Sequence, residues 1–141
     1  GDIVVVTEDC KFALSETTLG IPPAQIAPFV AQRIGLAKAR RIMLTAARFT
    51  GKEAFEMGLA DFIAKDANDL KNIESDIIKG VMNCAPGANA ITKEIVRATR
   101  HLERSEMIDF AAKGFAERML SDEGREGIAS FIEKRKPKWS K

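Results

Sequence analysis

Glu16 stands between two apolar stretches, Phe12-Ala13-Leu14 before it and Leu19-Gly20-Ile21 after it, with the run Ile3-Val4-Val5-Val6 further upstream. A carboxylate at the exit of a buried element is shielded from water, which disfavours the charged form and suits such a group to proton exchange near neutral pH. Read alone, a solvated loop glutamate is the commoner case, because acids are seldom buried. Other chemistry-bearing types are sparse. His101 is the only histidine, so no histidine metal cluster or Ser/His arrangement can be assembled, and it reads as a polar helix-end residue. Cys10 and Cys84 lie far apart with no CxxC spacing, which points to two free thiols in a reducing compartment. Neither Gly20 with Gly35 nor Gly124-Arg125-Glu126-Gly127 has the spacing of a dinucleotide phosphate loop. Near the C-terminus, Lys134-Arg135-Lys136-Pro137-Lys138 with Lys141 form a basic cluster. Such a cluster is either a helix end complementing its dipole or a grip for phosphates.

The elements that must position these residues follow from pattern. Ile3 to Val6 is β-branched and continuously apolar, the signature of an interior strand buried on both faces, and Glu8-Asp9 supplies a turn. The one other strand expected lies near Leu59 to Ala64. Two short strands do not make a stable sheet, so further neighbours are expected outside this chain. The first residue, glycine rather than methionine, points the same way. After Gly20 the chain reads as mostly helical. Pro22-Pro23 opens a helix to Ile34, stopped by Gly35, with Pro28 inside it costing a hydrogen bond or marking a bend. A second helix covers 36–47. Thr50-Gly51-Lys52-Glu53 is a capping box opening a short helix to Met57, ended by Gly58. Longer helices are expected over 68–83, 88–102, 105–120 and 122–136, with Ser105 and Ser121 as N-caps.

Composition bounds the function. The chain has 141 residues, 45% hydrophobic and 30% charged, about one ordinary domain. With 22 basic and 20 acidic residues interspersed, the net charge of +2 gives no electrostatic support for a nucleic-acid or membrane-surface partner. No apolar run approaches membrane-spanning length and no signal-peptide pattern is present.

Taken together, several segments resemble the crotonase (enoyl-CoA hydratase/isomerase) superfamily. They are Asp2 through Glu16 to Ile21, Gly51 to Ala60, Ala88 to Lys93, and Ser121 through Phe131 and Lys134 to Pro137. They occur in family order and reach from residue 2 to the C-terminal region. The resemblance implies an α/β crotonase fold, the ClpP/crotonase-like ββα superhelix, of which this chain is the C-terminal part, mostly helical with one or two strands. Residues 1–66 then belong to the core, with its strand, active-site loop and helices, and 67–141 to a C-terminal helical trimerisation region. The N-terminal half of the fold, which supplies most of the sheet in this family, is expected as a missing partner segment.

Carried over residue by residue, Glu16 matches the second of the two hydratase glutamates, which delivers or removes the proton at the substrate α-carbon. The first glutamate and the Gly-rich loop that supplies the oxyanion amides lie upstream in the family. Lys134, three positions after Phe131, matches the lysine that contacts coenzyme A phosphates, and Phe115 matches an earlier pocket phenylalanine. Coenzyme A is expected as part of the substrate, with no permanently bound cofactor and no metal. Family members are trimers or hexamers, so a homo-oligomer in the cytoplasm is expected, with an acyl-CoA substrate. One departure bears on substrate. Where many members carry Gly-Ile-Ile-Pro-Gly-Ala-Gly-Gly, this chain has Gly20-Ile21-Pro22-Pro23-Ala24-Gln25. That reshapes the acyl pocket around Gly20, Ile21 and Gln25, and resembles the branch containing isohexenylglutaconyl-CoA hydratases of acyclic terpene breakdown. Hydration of an α,β-unsaturated acyl-CoA is the activity implied; an isomerase, another crotonase activity or a non-catalytic assembly module is the alternative.

Overall fold

The computed structural model describes residues 1–140. It divides into two compact units, Gly1–Asp76 and a second beginning at Ile77.

In the first unit β1 (Val5–Thr7) pairs in parallel with β4 (Phe62–Ala64), placing Val6 opposite Ile63. β1 is shorter than the strand expected from Ile3. Only Val6 is buried, and Ile3 is 45% exposed, because β4 is its sole ladder neighbour among the described residues and covers one side. A second pair was not expected: β2 (Lys11–Ala13) runs antiparallel to β3 (Arg48–Thr50), with Phe12 opposite Phe49. The two rings stack with centroids 5.3 Å apart and planes 9° from parallel, an arrangement worth about 0.5–1.5 kcal/mol beyond its area.

α1 (Ala27–Leu44) is the main packing element. Its start is later than the Pro22-Pro23 signal suggests: the Ala27 amide closes a single turn on the Pro23 carbonyl at 2.9 Å, and Pro28, which has no N–H, cannot extend it. Pro28 therefore sits in the first turn, where its missing N–H is not needed, instead of interrupting a helix. The expected break at Gly35 is present as a non-helical residue (φ 80°, ψ 161°) that kinks α1 between two helical segments. Val30, Ile34, Ala39, Ile42 and Met43 of α1 form the core with Leu14, Phe49, Ala54 and Met57.

α2 (Gly51–Glu56) opens with the expected capping box. The Thr50 amide donates to Glu53 Oε2 at 2.7 Å, and the Glu53 amide donates to Thr50 Oγ1 at 3.3 Å. Gly58, with φ 85°, ends it. Asp61 then ties the chain back to β1, accepting from the Val4 amide at 2.7 Å and from the Arg33 guanidinium. Partial burial pushes its carboxyl up, but these two donors together outweigh that and hold it below the usual range.

Four helices follow: α3 (Ala67–Met82), α4 (Pro86–Ala98), α5 (Arg104–Leu120) and α6 (Asp122–Ile132). Within the second unit, α5 packs on α4 where Gly114 leaves room. A β-carbon at Gly114 would come within 2.7 Å of Ile91. The α5 cap is not the expected Ser105. Glu103 caps instead, its amide donating to Glu106 Oε2 at 3.1 Å, which puts Ser105 inside the first turn. Ser121 caps α6 as expected, accepting from the Gly124 amide at 3.1 Å. From α6, the Glu123 carboxylate accepts the Gly87 amide at 2.9 and 3.2 Å, satisfying a free donor at the start of α4. α4 and α6 each stop four residues short of the expected ends, at Ala98 and Ile132.

Candidate functional site

Glu16 opens a single 3-10 turn, Glu16–Leu19, directly after buried Leu14. Local bonds fix the turn: the Thr18 amide and hydroxyl both donate to the Ser15 carbonyl, at 3.0 and 2.7 Å. The Ile21 amide donates to the Glu16 carbonyl at 3.3 Å. Gly20 closes the turn in the left-handed region at φ 75°, a conformation a β-carbon disfavours. Sequence patterning gave no sign of the contact that anchors this turn to the core. The Thr17 hydroxyl donates to the carbonyl of buried Met43, in the last turn of α1, at 3.0 Å.

The consequence for Glu16 is unusual. Its Oε2 is buried and has no hydrogen-bond partner among the described residues. A buried unsatisfied acceptor costs about 1–3 kcal/mol, so native structures carry few without a use for them. A carboxylate with one buried, unpaired oxygen can accept a proton from, or deliver one to, a group that docks against it. Of the other residues expected beside it, Gly20 shapes the turn, Ile21 is 55% exposed just after it, and Gln25 is exposed shortly before α1. No metal-holding group of His, Cys, Asp or Glu occurs among the described residues.

In the second unit the structure joins Phe131 and Lys134 in one turn and places Phe115 elsewhere. Phe131 is 85% exposed on the last turn of α6, and its carbonyl accepts the Lys134 amide at 3.3 Å. Phe115, on α5, borders an apolar groove with Ile91, Ile95 and Met119. α6 does not run on to Lys136. The Arg135 amide bonds the Ser130 carbonyl at 3.0 Å and Lys134 adopts φ 54°, the Schellman pattern of a helix end with lysine in the position that favours glycine.

The basic cluster is less uniform than its letters suggest. Arg135 forks onto Glu126, with Nη1 to Oε1 at 2.6 Å and Nη2 to Oε2 at 3.1 Å, and its Nε reaches Glu133 at 2.5 Å. Lys138 contributes its amide to Glu126 at 3.0 Å and its ammonium at 3.8 Å. Lys134 and Lys136 have no ion-pair partner among the described residues, and Lys141 lies outside those residues. Hydrogen bonds from Arg135, followed by the Lys138 amide and both cations, hold the Glu126 carboxyl at about 2, against an ordinary 4.5. A depressed carboxyl stabilises the fold above its unfolded value and loses that contribution as pH falls through its folded one. Melting temperature should therefore drop between pH 4.5 and about 2 in part through Glu126, and Glu126→Gln should flatten that part of the acid limb. An unchanged acid limb would contradict it.

Comparison with known proteins gives the family and the fold. The family model for enoyl-CoA hydratase/isomerase matches residues 1–141. The solved structure of Pseudomonas aeruginosa AtuE superposes with a TM-score of 0.97 at 46% identity, covering all of this chain and 55% of that one. An enoyl-CoA hydratase, ACTT6, from Alternaria alternata is 32% identical over 92% of this chain and 44% of its own length. A peroxisomal Delta(3,5)-Delta(2,4)-dienoyl-CoA isomerase from Arabidopsis thaliana is 29% identical over 99% of this chain and 51% of its own. The chain thus spans about half the length of the relatives it matches.

Proposed function

This chain belongs to the enoyl-CoA hydratase/isomerase family and has the crotonase fold over its length, and on that premise we propose that it contributes Glu16 to the hydration of an α,β-unsaturated acyl-CoA. The Oε2 of Glu16, buried and without a partner among the described residues, is the observation that carries the reading. Addition of water at the β-carbon leaves an enolate whose α-carbon needs a proton, and Glu16 supplies it; in the reverse direction Glu16 removes it. The water-activating glutamate and the oxyanion amides come from a segment other than these 141 residues, as the family's arrangement implies. Residues 1–66 serve as part of the catalytic core and 67–141 as the helical trimerisation region of a cytoplasmic trimer or hexamer.

Lys134, with Phe131 and Phe115, binds the coenzyme A part of the substrate, which enters and leaves with each turnover. Gly20, Ile21 and Gln25 shape the acyl pocket, and the Gly20-to-Gln25 sequence favours a branched acyl group of the isohexenylglutaconyl kind. The relative named as a dienoyl-CoA isomerase supports a second reading, in which the same carboxylate moves a proton between carbons and no water is added. Water labelled with oxygen-18 separates the two. Hydration consumes the conjugated thioester and puts the label in the product, whereas isomerisation shifts the double bond without label. If neither occurs in the folded full-length protein, the assembly-module reading replaces both.

A charged contact to a phosphate, remote from the reacting carbons, is mostly uniform binding. Lys134→Ala should therefore raise KM for acyl-CoA about tenfold with little change in kcat. The difference should shrink at high salt. Unchanged KM at low salt would return Lys134 to the role of a solvated helix end.

A further inference from the structure

We propose that the segment following α6 is a positioning device for Lys134: the ion pair of Glu126 with Arg135 and the anchoring of Trp139 on Asn83 hold the left-handed turn that presents this lysine to a phosphate-bearing ligand. The inference rests on the coenzyme A reading of Lys134 and adds the residues that make that contact possible.

Three observations converge on it. The first is conformational. A β-carbon at φ 54° costs about 1 kcal/mol or more relative to glycine, so a helix stop with no other task is better made with glycine. A lysine there is tolerated when its surroundings fix the backbone, and strained positions of this kind gather at functional sites.

The second is the surroundings themselves. Lys134 is bracketed by Glu133 and Arg135, and these two side chains are bonded to each other across it. Arg135 also forks onto Glu126, one turn and more back along α6, and its Nη1 reaches the Lys136 carbonyl at 3.2 Å. Beyond the turn, the indole N–H of Trp139 donates to the Asn83 carbonyl at 3.2 Å and the Ser140 hydroxyl donates to Asn83 Oδ1 at 2.7 Å. The Trp139 ring lies over Gly127, where a β-carbon would meet it at 3.3 Å. The tail is therefore fixed at both ends of the turn, to α6 before it and to the residue following α3 after it.

The third is the use of charge. A segment built only to attract anions would leave all its cations free. Here Arg135 and Lys138 are engaged by Glu126, while Lys134 and Lys136 have no ion-pair partner among the described residues. Two of the cations thus serve geometry, and of the two lysines left Lys134 is the one set on the left-handed turn, where it meets a ligand.

Charge and geometry predict opposite signs for one substitution, which makes the test decisive. Glu126→Gln removes a negative charge beside the turn. If only net charge mattered, coenzyme A would bind more tightly. If Glu126 positions Lys134, coenzyme A binds about five- to tenfold more weakly, because the ammonium is no longer pre-placed. The measurement is calorimetric titration of the full-length protein with coenzyme A at low salt, on Glu126→Gln, Lys134→Ala and the double variant. We expect each single variant to bind more weakly and the double variant to bind like Lys134→Ala alone, since a positioning residue has nothing left to position. Tighter or unchanged binding by Glu126→Gln, or losses that add in full, overturns the proposal while leaving Lys134 at coenzyme A. Unchanged binding by Lys134→Ala overturns both. Should Glu126→Gln not fold, Trp139→Phe, which keeps an aromatic ring and loses the N–H donor, takes its place in the same cycle with the same expected non-additivity.

Discussion

Glu16→Gln, made in the full-length protein, should lower turnover about a hundredfold or more while acyl-CoA binding changes little. Glutamine keeps the shape and a carbonyl acceptor but has no titratable proton to exchange, and loss of general acid–base catalysis costs about 10²–10⁴ in rate. The split matters as much as the size, since a residue that merely shaped the pocket would move KM as well. Stability should fall little or rise slightly. The wild-type carboxylate carries a buried oxygen with no partner among the described residues, and relieving a site held for activity commonly favours the fold. Wild-type turnover from a folded, coenzyme A-binding Glu16→Gln protein would remove the catalytic assignment and leave the family assignment standing.

The largest expected effect on stability lies at the first residue of α2. A β-carbon on Gly51 would collide with the Thr7 carbonyl at the end of β1 and come within 3.4 Å of Cys10 Cβ. Neither backbone can move freely: the Glu8 amide bonds the Ala64 carbonyl at 3.0 Å, and Thr50 and Glu53 hold the start of α2. Gly51→Ala should therefore cost about 3 kcal/mol or more, read from urea or thermal unfolding. Gly80→Ala is the matched control. That glycine lies within α3 with nothing among the described residues within 4 Å of its β-carbon position, so alanine there should stabilise by about 0.5–1 kcal/mol through helix propensity. Equal effects at the two positions would refute the collision.

Which parts of this structure could be read from the letters follows from how local their causes are. The Thr50–Glu53 box, the Ser121 cap and the Gly58 stop are side-chain or glycine signals acting within four residues, and all three stand where the sequence puts them. Helix ends made without glycine were not legible. α1 ends with Ala46 at φ 48° and α6 with Lys134 at φ 54°, and nothing in either letter announces the left-handed turn. β2 and β3 have three residues each, too few for a period, and owe their pairing to Phe12 meeting Phe49 from the far side of α1. Pro28 was legible only as a problem; the later start of α1 is what resolves it.

At the candidate site the same distinction holds. The identity of Glu16 follows from a motif, but the burial of one of its oxygens depends on how the chain folds around it. The Thr17 hydroxyl finds its partner 26 residues away. Arg135 and Glu126 are nine residues apart, beyond the reach of helical i, i+4 reasoning, so their fork exists only because the chain turns at Lys134.

The parallel pairing of β1 with β4 has a consequence in time. Asp61 receives the Val4 amide across 57 residues, whereas Arg135 meets Glu126 across nine. Closing the longer loop costs about 1.6 kcal/mol more chain entropy, and none of that is returned until the contact forms. During synthesis Val4 emerges long before Asp61, so β1 waits with its ladder groups facing water or a chaperone while α1 and α2 take shape from near neighbours. In refolding, amide protection should accordingly reach Phe62 and Ile63 after it reaches the interior of α1, making the strand pair the last seam of the first unit to close.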